Sequence, residues 1–263
     1  MRLKRMGLQR RRLGLGTVLA LTLLAGVAGA GSAAAQTAAP QACDVPSYLL
    51  STESLLPKVT EAVKAGRPLN VLVIGSRSST IVSSDGSAYP AKLAAALKDK
   101  LPSTPINLSV ELQNGKTAEE MDGTLVKLVE AKSPTLVIWQ TGTVDAMRSV
   151  DPDDFRNAVD EGVTALQKAG VDVVLLNLQY SPRTETMISA PPYLDNMRVV
   201  AQQHSVPLFD RFAIMRHWND AGDFDLFSTF HGTDMAKRVH ACLGRALSKF
   251  VLDAARLDPA QQN

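Results

Sequence analysis

The sequence predicts a three-layer, doubly wound α/β fold on a mainly parallel five-stranded sheet. Three observations predict it. Short apolar, β-branched runs such as Asn70-Val-Leu-Val-Ile74 have the composition of strands buried on both faces. Between them lie stretches with apolar residues three and four apart, the period of amphipathic helices. No internal repeat, low-complexity block or second core interrupts the alternation. A chain of 263 residues, 45% hydrophobic, suffices for one domain of ordinary size.

The elements follow in order. Segment 37–47 is rich in Ala, Pro and Gln. Helical spacing covers 49–65, with a break at Pro57. The first strand, 70–74, stops at Gly75, and a helix over 89–101 aligns Leu93, Ala94, Leu97 and Leu101. The second strand spans 106–112, and Asn114-Gly115 turns into a helix over 117–132. Thr117 and Glu120 have capping-box spacing there, and Met121, Leu125 and Leu128 line one side. The third strand spans 135–141. A helix over 154–169 stops at Gly170, and the fourth strand spans 171–178. A helix over 192–204, a short strand over 206–209 and a closing helix over 235–251 complete the chain.

Ahead of this domain lies a cationic stretch (1–12), an apolar stretch (13–30) and Ala33-Ala34-Ala35 before Gln36. These are the three parts of a secretory signal peptide. The alternative is a retained anchor, since 13–30 nearly reaches spanning length; its glycines and alanine-rich end favour cleavage. The organisation expected is therefore a leader at 1–35, an N-terminal segment with its helix at 36–68, the main domain at 69–252 and a tail at 253–263. No stable membrane insertion is expected after cleavage, and the destination is periplasmic or secreted.

The leader holds six of the 28 Lys and Arg residues and no acid. Without it, 22 basic side chains face 26 acidic ones, a net charge of −4 where the whole chain has +2. The basicity thus belongs to the leader, and no nucleic-acid partner is expected. Two cysteines in an exported chain suggest a disulfide, Cys43–Cys242. Closing so long a loop stabilises by about 4–5 kcal/mol in the chain-entropy model. The alternative is a buried free Cys242 on a helix face.

In doubly wound sheets, ligands sit beyond the carboxyl ends of the strands. Those ends carry Gly75-Ser76-Arg77-Ser78-Ser79-Thr80, then Asn114-Gly115-Lys116-Thr117, then Gln140-Thr141-Gly142-Thr143-Val144-Asp145, then Tyr180-Ser181-Pro182-Arg183, then Asp210 onward. Phe230-His231-Gly232-Thr233-Asp234 precedes the closing helix. The first loop is neither a Walker loop, lacking Gly-Lys-Ser/Thr, nor a Rossmann fingerprint, having one glycine. No His-Glu-x-x-His or paired-cysteine spacing suggests a metal, and Asp223 and Asp225 are too sparse to make one. Neither metal nor cofactor is expected.

This ordered set resembles the SGNH, or GDSL-type, hydrolase family, whose fold is flavodoxin-like. The resemblance spans about 69–252, carried by Val-Leu-Val-Ile-Gly-Ser, Asn-Gly-x-Thr-Ala-x-Glu-Met and Trp-Gln-Thr-Gly-Thr-x-Asp. It implies a serine ester hydrolase acting on a small-molecule, glycan or lipid ester. By the same likeness His231 is the base. Ser78, reached by a turn one residue longer than the family's, serves as the nucleophile, with Ser76 as the alternative. Asp225, further upstream than the family's Asp, is the carboxylate to reach round and orient the histidine. The amides of Ser78 and Gly115 would bind the oxyanion. The sequence departs from the family at three places. Arg77 stands where the nucleophile is expected, Val144 where an Asn donates to the oxyanion, and Ser228 where an Asp precedes the histidine. These departures motivate a rival reading, a catalytically silent SGNH-like fold that binds an envelope glycan or a protein.

Other residues have simpler readings. Arg77 and Arg183 can bind an anionic substrate group or pair at the surface. Gln140 reads as a buried strand polar group, with replacement of the missing amide donor as the alternative. Asp145 caps or orients its loop. His240, within the closing helix, is structural, His204 ends a surface helix, and His217 follows Arg216 in a polar loop. Trp139 and Trp218 pack the core or its rim.

Overall fold

A computed structural model describes residues 43–82, 85–227 and 232–257. The leader, the tail beyond 257, Ser228 and His231 lie outside the described residues. The sheet has five strands: β1 (Leu69–Gly75), β2 (Ile106–Leu112), β3 (Leu136–Gln140), β4 (Asp172–Leu176) and β5 (Leu208–Phe209). Their order is β2-β1-β3-β4-β5, and every pairing is parallel. The expected mainly parallel sheet is thus parallel throughout. β3 and β4 are buried at every residue, as strands covered by helices on both faces must be.

The major helices are α1 (Pro57–Lys64), α2 (Tyr89–Lys100), α3 (Ala118–Lys132), α5 (Pro152–Lys168), α7 (Pro191–Gln203), α8 (Arg211–Asp220) and α9 (Gly232–Ala254). Two short ones, α4 (Thr143–Met147) and α6 (Pro182–Met187), follow β3 and β4. The capping box at α3 forms: Thr117 Oγ1 accepts from the Glu120 amide, and Glu120 accepts from the Thr117 amide. The helix expected over 49–65 is confined to α1, because Leu56 is not helical and Pro57 starts the helix instead. Asp172 at the foot of β4 accepts from the Val59 amide at 2.9 Å, capping α1 from across the fold.

The polar loop expected around His217 is a correction, for His217 belongs to α8. Phe212, Ile214, Met215 and Trp218 form that helix's buried face. Charged and polar neighbours break up the apolar pattern in the sequence. Trp139 and Trp218 are both fully buried. Cys43 and Cys242 form the expected disulfide, with 5.4 Å between their Cα atoms. Among the described residues, no helix is long and apolar enough to cross a membrane.

Candidate active site

β1 ends in a tight turn. Beyond Gly75 and Ser76, the chain makes one 3-10 turn over Arg77–Ser79, closed by a bond from the Ser79 amide to the Ser76 carbonyl (2.8 Å). A Cβ on residue 75 would lie 2.1 Å from Ser79 Oγ, so glycine is required for this close approach. The turn buries Ser79, leaves Ser76 and Ser78 half-buried and exposes Arg77.

The serines converge on Gln140, the last residue of β3, which is 1% exposed. Its Oε1 accepts from Ser79 Oγ (2.6 Å), Tyr89 OH (3.1 Å) and Arg211 Nη1 (3.1 Å). Three donors at the oxygen turn the amide nitrogen toward the other serines. Nε2 donates to Ser78 Oγ at 2.8 Å and to Ser76 Oγ at 3.0 Å. Gln140 is therefore the hub of a buried polar network as well as a strand residue.

Arg211 opens α8, directly after β5. Asp210 caps the helix by accepting from the Ala213 amide, and Asn177 accepts from the Phe212 amide and donates to Asp210. The two bonds to helix amides fix the start of α8, and the third locks the two acceptors together. The Arg211 side chain is 1% exposed, and its Nη1 also donates to Ser78 Oγ at 3.3 Å. Its Nε and Nη2 find no hydrogen-bond partner among the described residues. Burial pushes the guanidinium down to about 10, which leaves it a cation at neutral pH. Nothing in the sequence singles out Arg211 beyond its place at a strand's carboxyl end.

His240 lies close by and is nearly buried. Its Nδ1 accepts from the Tyr89 amide at 3.0 Å. A backbone N–H can only donate, so the neutral ring carries its proton on Nε2. Burial first, and the Arg211 charge second, push this imidazole down to about 4. Its structural reading fits that bonding.

A cavity of about 320 Å³ opens over this cluster, lined on its polar side by Ser78, Gln179, Ser181, Arg211, Asp225 and His240. Met215, Leu226, Met235 and Leu243 supply apolar wall, and Gly232 lines it too. A larger groove of about 640 Å³ between α2 and α9 is lined by no strand-end residue. Among the described residues, no cluster of His, Cys, Asp and Glu could hold a metal ion.

Of the residues singled out by sequence, Ser78 and Asp225 line one cavity. Ser76 Oγ is 3.4 Å from Ser78 Oγ but does not line it. Gly115 sits at φ +75° in the turn before α3, beside Gln113, whose amide bonds the Gly75 carbonyl at 2.7 Å. Arg183 is an exposed residue of α6, and Val144 is half-buried in α4. Asp145 does hold its loop, accepting from the Ala118 and Gly142 amides.

A family model described as the Non-GDSL lipase-like family matches residues 42–257. Among solved structures, a two-domain esterase (CEX) active on acetylated mannans aligns with a TM-score of 0.64 at 16% identity, covering 81% of this chain and 57% of that one. The structure of TesA aligns at 0.54 and 18% identity, covering 69% of this chain and 99% of that one. LAE5, an alpha/beta hydrolase enzyme from the metagenome of Lake Arreo, Spain, aligns at 0.54 and 18% identity, covering 73% and 98%. These likenesses show the shared, SGNH-like fold. No curated protein sequence matches the chain.

Proposed function

The chain belongs to the Non-GDSL lipase-like family, and on that premise we propose that it is an exported serine hydrolase cleaving acyl esters. The observation that carries this reading is the placement of Ser78 Oγ. It lies on the wall of a cavity at the strand ends, held by two buried donors. Ser76 shares the Gln140 bond but not the cavity, which favours Ser78 as the nucleophile.

In the proposed reaction Ser78 Oγ attacks the acyl carbon, and its proton passes to His231. The imidazolium then protonates the leaving alcohol as the ester C–O bond breaks. Water repeats the sequence on the acyl-enzyme and releases the carboxylic acid. Asp225 orients His231, and the amides of Ser78 and Gly115 bind the oxyanion. Gly232, the next residue in the chain after His231, lines the cavity, which supports this choice of base. Arg77 and Arg183 are assigned to anionic groups of the substrate outside the cavity.

The apolar wall suits an acyl group, and an O-acylated envelope glycan or a lipid is the substrate class. Acetylated mannan is the first glycan to try, because a structurally similar esterase is active on it. Export is supported by the leader pattern and by the Cys43–Cys242 disulfide. The test is hydrolysis of p-nitrophenyl acyl esters by the mature domain. Turnover is expected in the wild type and its loss in Ser78→Ala; equal rates in both would overturn the assignment.

One observation favours a second reading. Ser78 Oγ already accepts from two donors, Gln140 Nε2 and Arg211 Nη1, and Val144 offers the oxyanion no side-chain donor. A silent site of this kind would bind an acylated glycan without turnover, which the same assay paired with a binding measurement distinguishes.

A further inference from the structure

The reaction as proposed gives no role to the cation buried in the site. Arg211 is 1% exposed and takes part in none of the ion pairs found among the described residues; its chain neighbour Asp210 pairs with Arg198 instead. We propose that Arg211 is a catalytic residue, whose guanidinium stabilises the negative charge that forms at Ser78 Oγ and then on the acyl carbonyl oxygen. It thereby replaces, together with the Gln140 amide, the donor that Val144 lacks. This rests on the reading of Ser78 as nucleophile.

Three observations carry it. Nη1 is already within hydrogen-bond distance of Ser78 Oγ, at 3.3 Å, so the charge sits where chemistry would begin. Nε and Nη2 have no partner among the described residues, so donors remain for an anion. The Asp210 and Asn177 bonds fix the start of the helix that carries Arg211 before any substrate arrives.

Energetics point the same way. A buried guanidinium without a counter-charge is destabilising in the resting protein. Tyr89 gives no compensation, since burial raises its phenol and keeps it neutral. A negative charge appearing only during the reaction relieves that cost, and the low dielectric strengthens the attraction. An interaction stronger in the transition state than in the ground state accelerates the step.

The electron count is simple. As Ser78 Oγ bonds to the acyl carbon, its proton leaves to the base, and the carbonyl π pair moves onto oxygen. Arg211 keeps all its protons throughout. When the tetrahedral intermediate collapses, that pair re-forms the carbonyl, and the alcohol departs with the proton from the base.

The experiment compares Arg211→Gln and Arg211→Lys with the wild type. Its readouts are p-nitrophenyl ester kinetics, inhibition by an alkylboronic acid that forms an anionic tetrahedral adduct on serine, and thermal unfolding. Arg211→Gln keeps a polar side chain beside Gln140 but removes the charge. Its kcat should fall on the order of 100- to 1,000-fold with KM nearly unchanged, and boronate affinity should fall in parallel. Arg211→Lys should retain more of both than Arg211→Gln.

A variant that loses only thermal stability, or an Arg211→Gln that keeps wild-type kcat and boronate affinity, would overturn the proposal. Should Arg211→Gln not fold, Arg211→Lys decides. Lower kcat with unchanged KM supports a catalytic fork, and wild-type kcat with lowered stability contradicts it. A wild type that neither turns over esters nor binds boronate removes the reading of Ser78 itself, a different failure from that of Arg211.

Discussion

A buried imidazole beside a serine is not automatically its base. His240 shares the cavity with Ser78, yet its Nδ1 already accepts a backbone N–H. Its Nε2 therefore carries the proton, and the ring donates rather than accepts at its other edge. The bonding has a measurable consequence. The unfolded chain binds a proton at His240 near pH 6.5 and the folded chain only near 4. Between those values the unfolded state holds more protons, so this residue's contribution to stability is lost as pH falls from about 6.5 to about 4. Melting curves of wild type and His240→Gln across that range should show the wild type losing ground to the variant as acid is added. A difference that stays constant with pH would contradict the neutral, Nδ1-accepting ring.

At the scale of elements, α9, which carries one wall of the cavity, packs closely against α2. Gly244 is the contact: a Cβ there would lie 2.7 Å from the Leu93 amide nitrogen and 2.8 Å from the Lys92 carbonyl carbon. Backbone atoms cannot swing aside as a side-chain tip would. Gly244→Ala should therefore push the helices apart and cost about 1–3 kcal/mol, read as a lower denaturant midpoint. A midpoint equal to the wild type would contradict this packing. Because α9 carries Met235, Val239, His240 and Leu243 to the cavity, the same change should weaken ligand binding. The sequence announces such elements unevenly. β2 and α3 are legible because the apolar–polar alternation of Ile106–Leu112 and a capping box lie within a few residues of each other. α8 is hidden, since Arg211, Arg216, His217, Asn219 and Asp220 dilute its apolar face. The partnership of Gln140, Arg211 and Ser78 is not legible at all, because it joins three strand ends that only folding brings together.

At the scale of the molecule, the Cys43–Cys242 disulfide ties the segment ahead of α1 to the last helix across 199 positions. Reducing the mature protein, or changing both cysteines to serine, should lower its stability by about 4–5 kcal/mol if the entropic account of cross-links holds. An unchanged unfolding midpoint with reductant would mean that packing already fixes the two ends. Trp218 adds a second tie, donating from its indole to the Asp44 carbonyl at 2.9 Å. These links brace α8 and α9, the two helices that flank the cavity, and so connect the expected oxidising compartment to the shape of the site. The proposed chemistry turns on which serine oxygen is the nucleophile. Mass spectrometry of the wild-type mature protein after reaction with a fluorophosphonate measures that directly. A single adduct on Ser78 is the predicted result; an adduct on Ser76, or none on this turn, would contradict it.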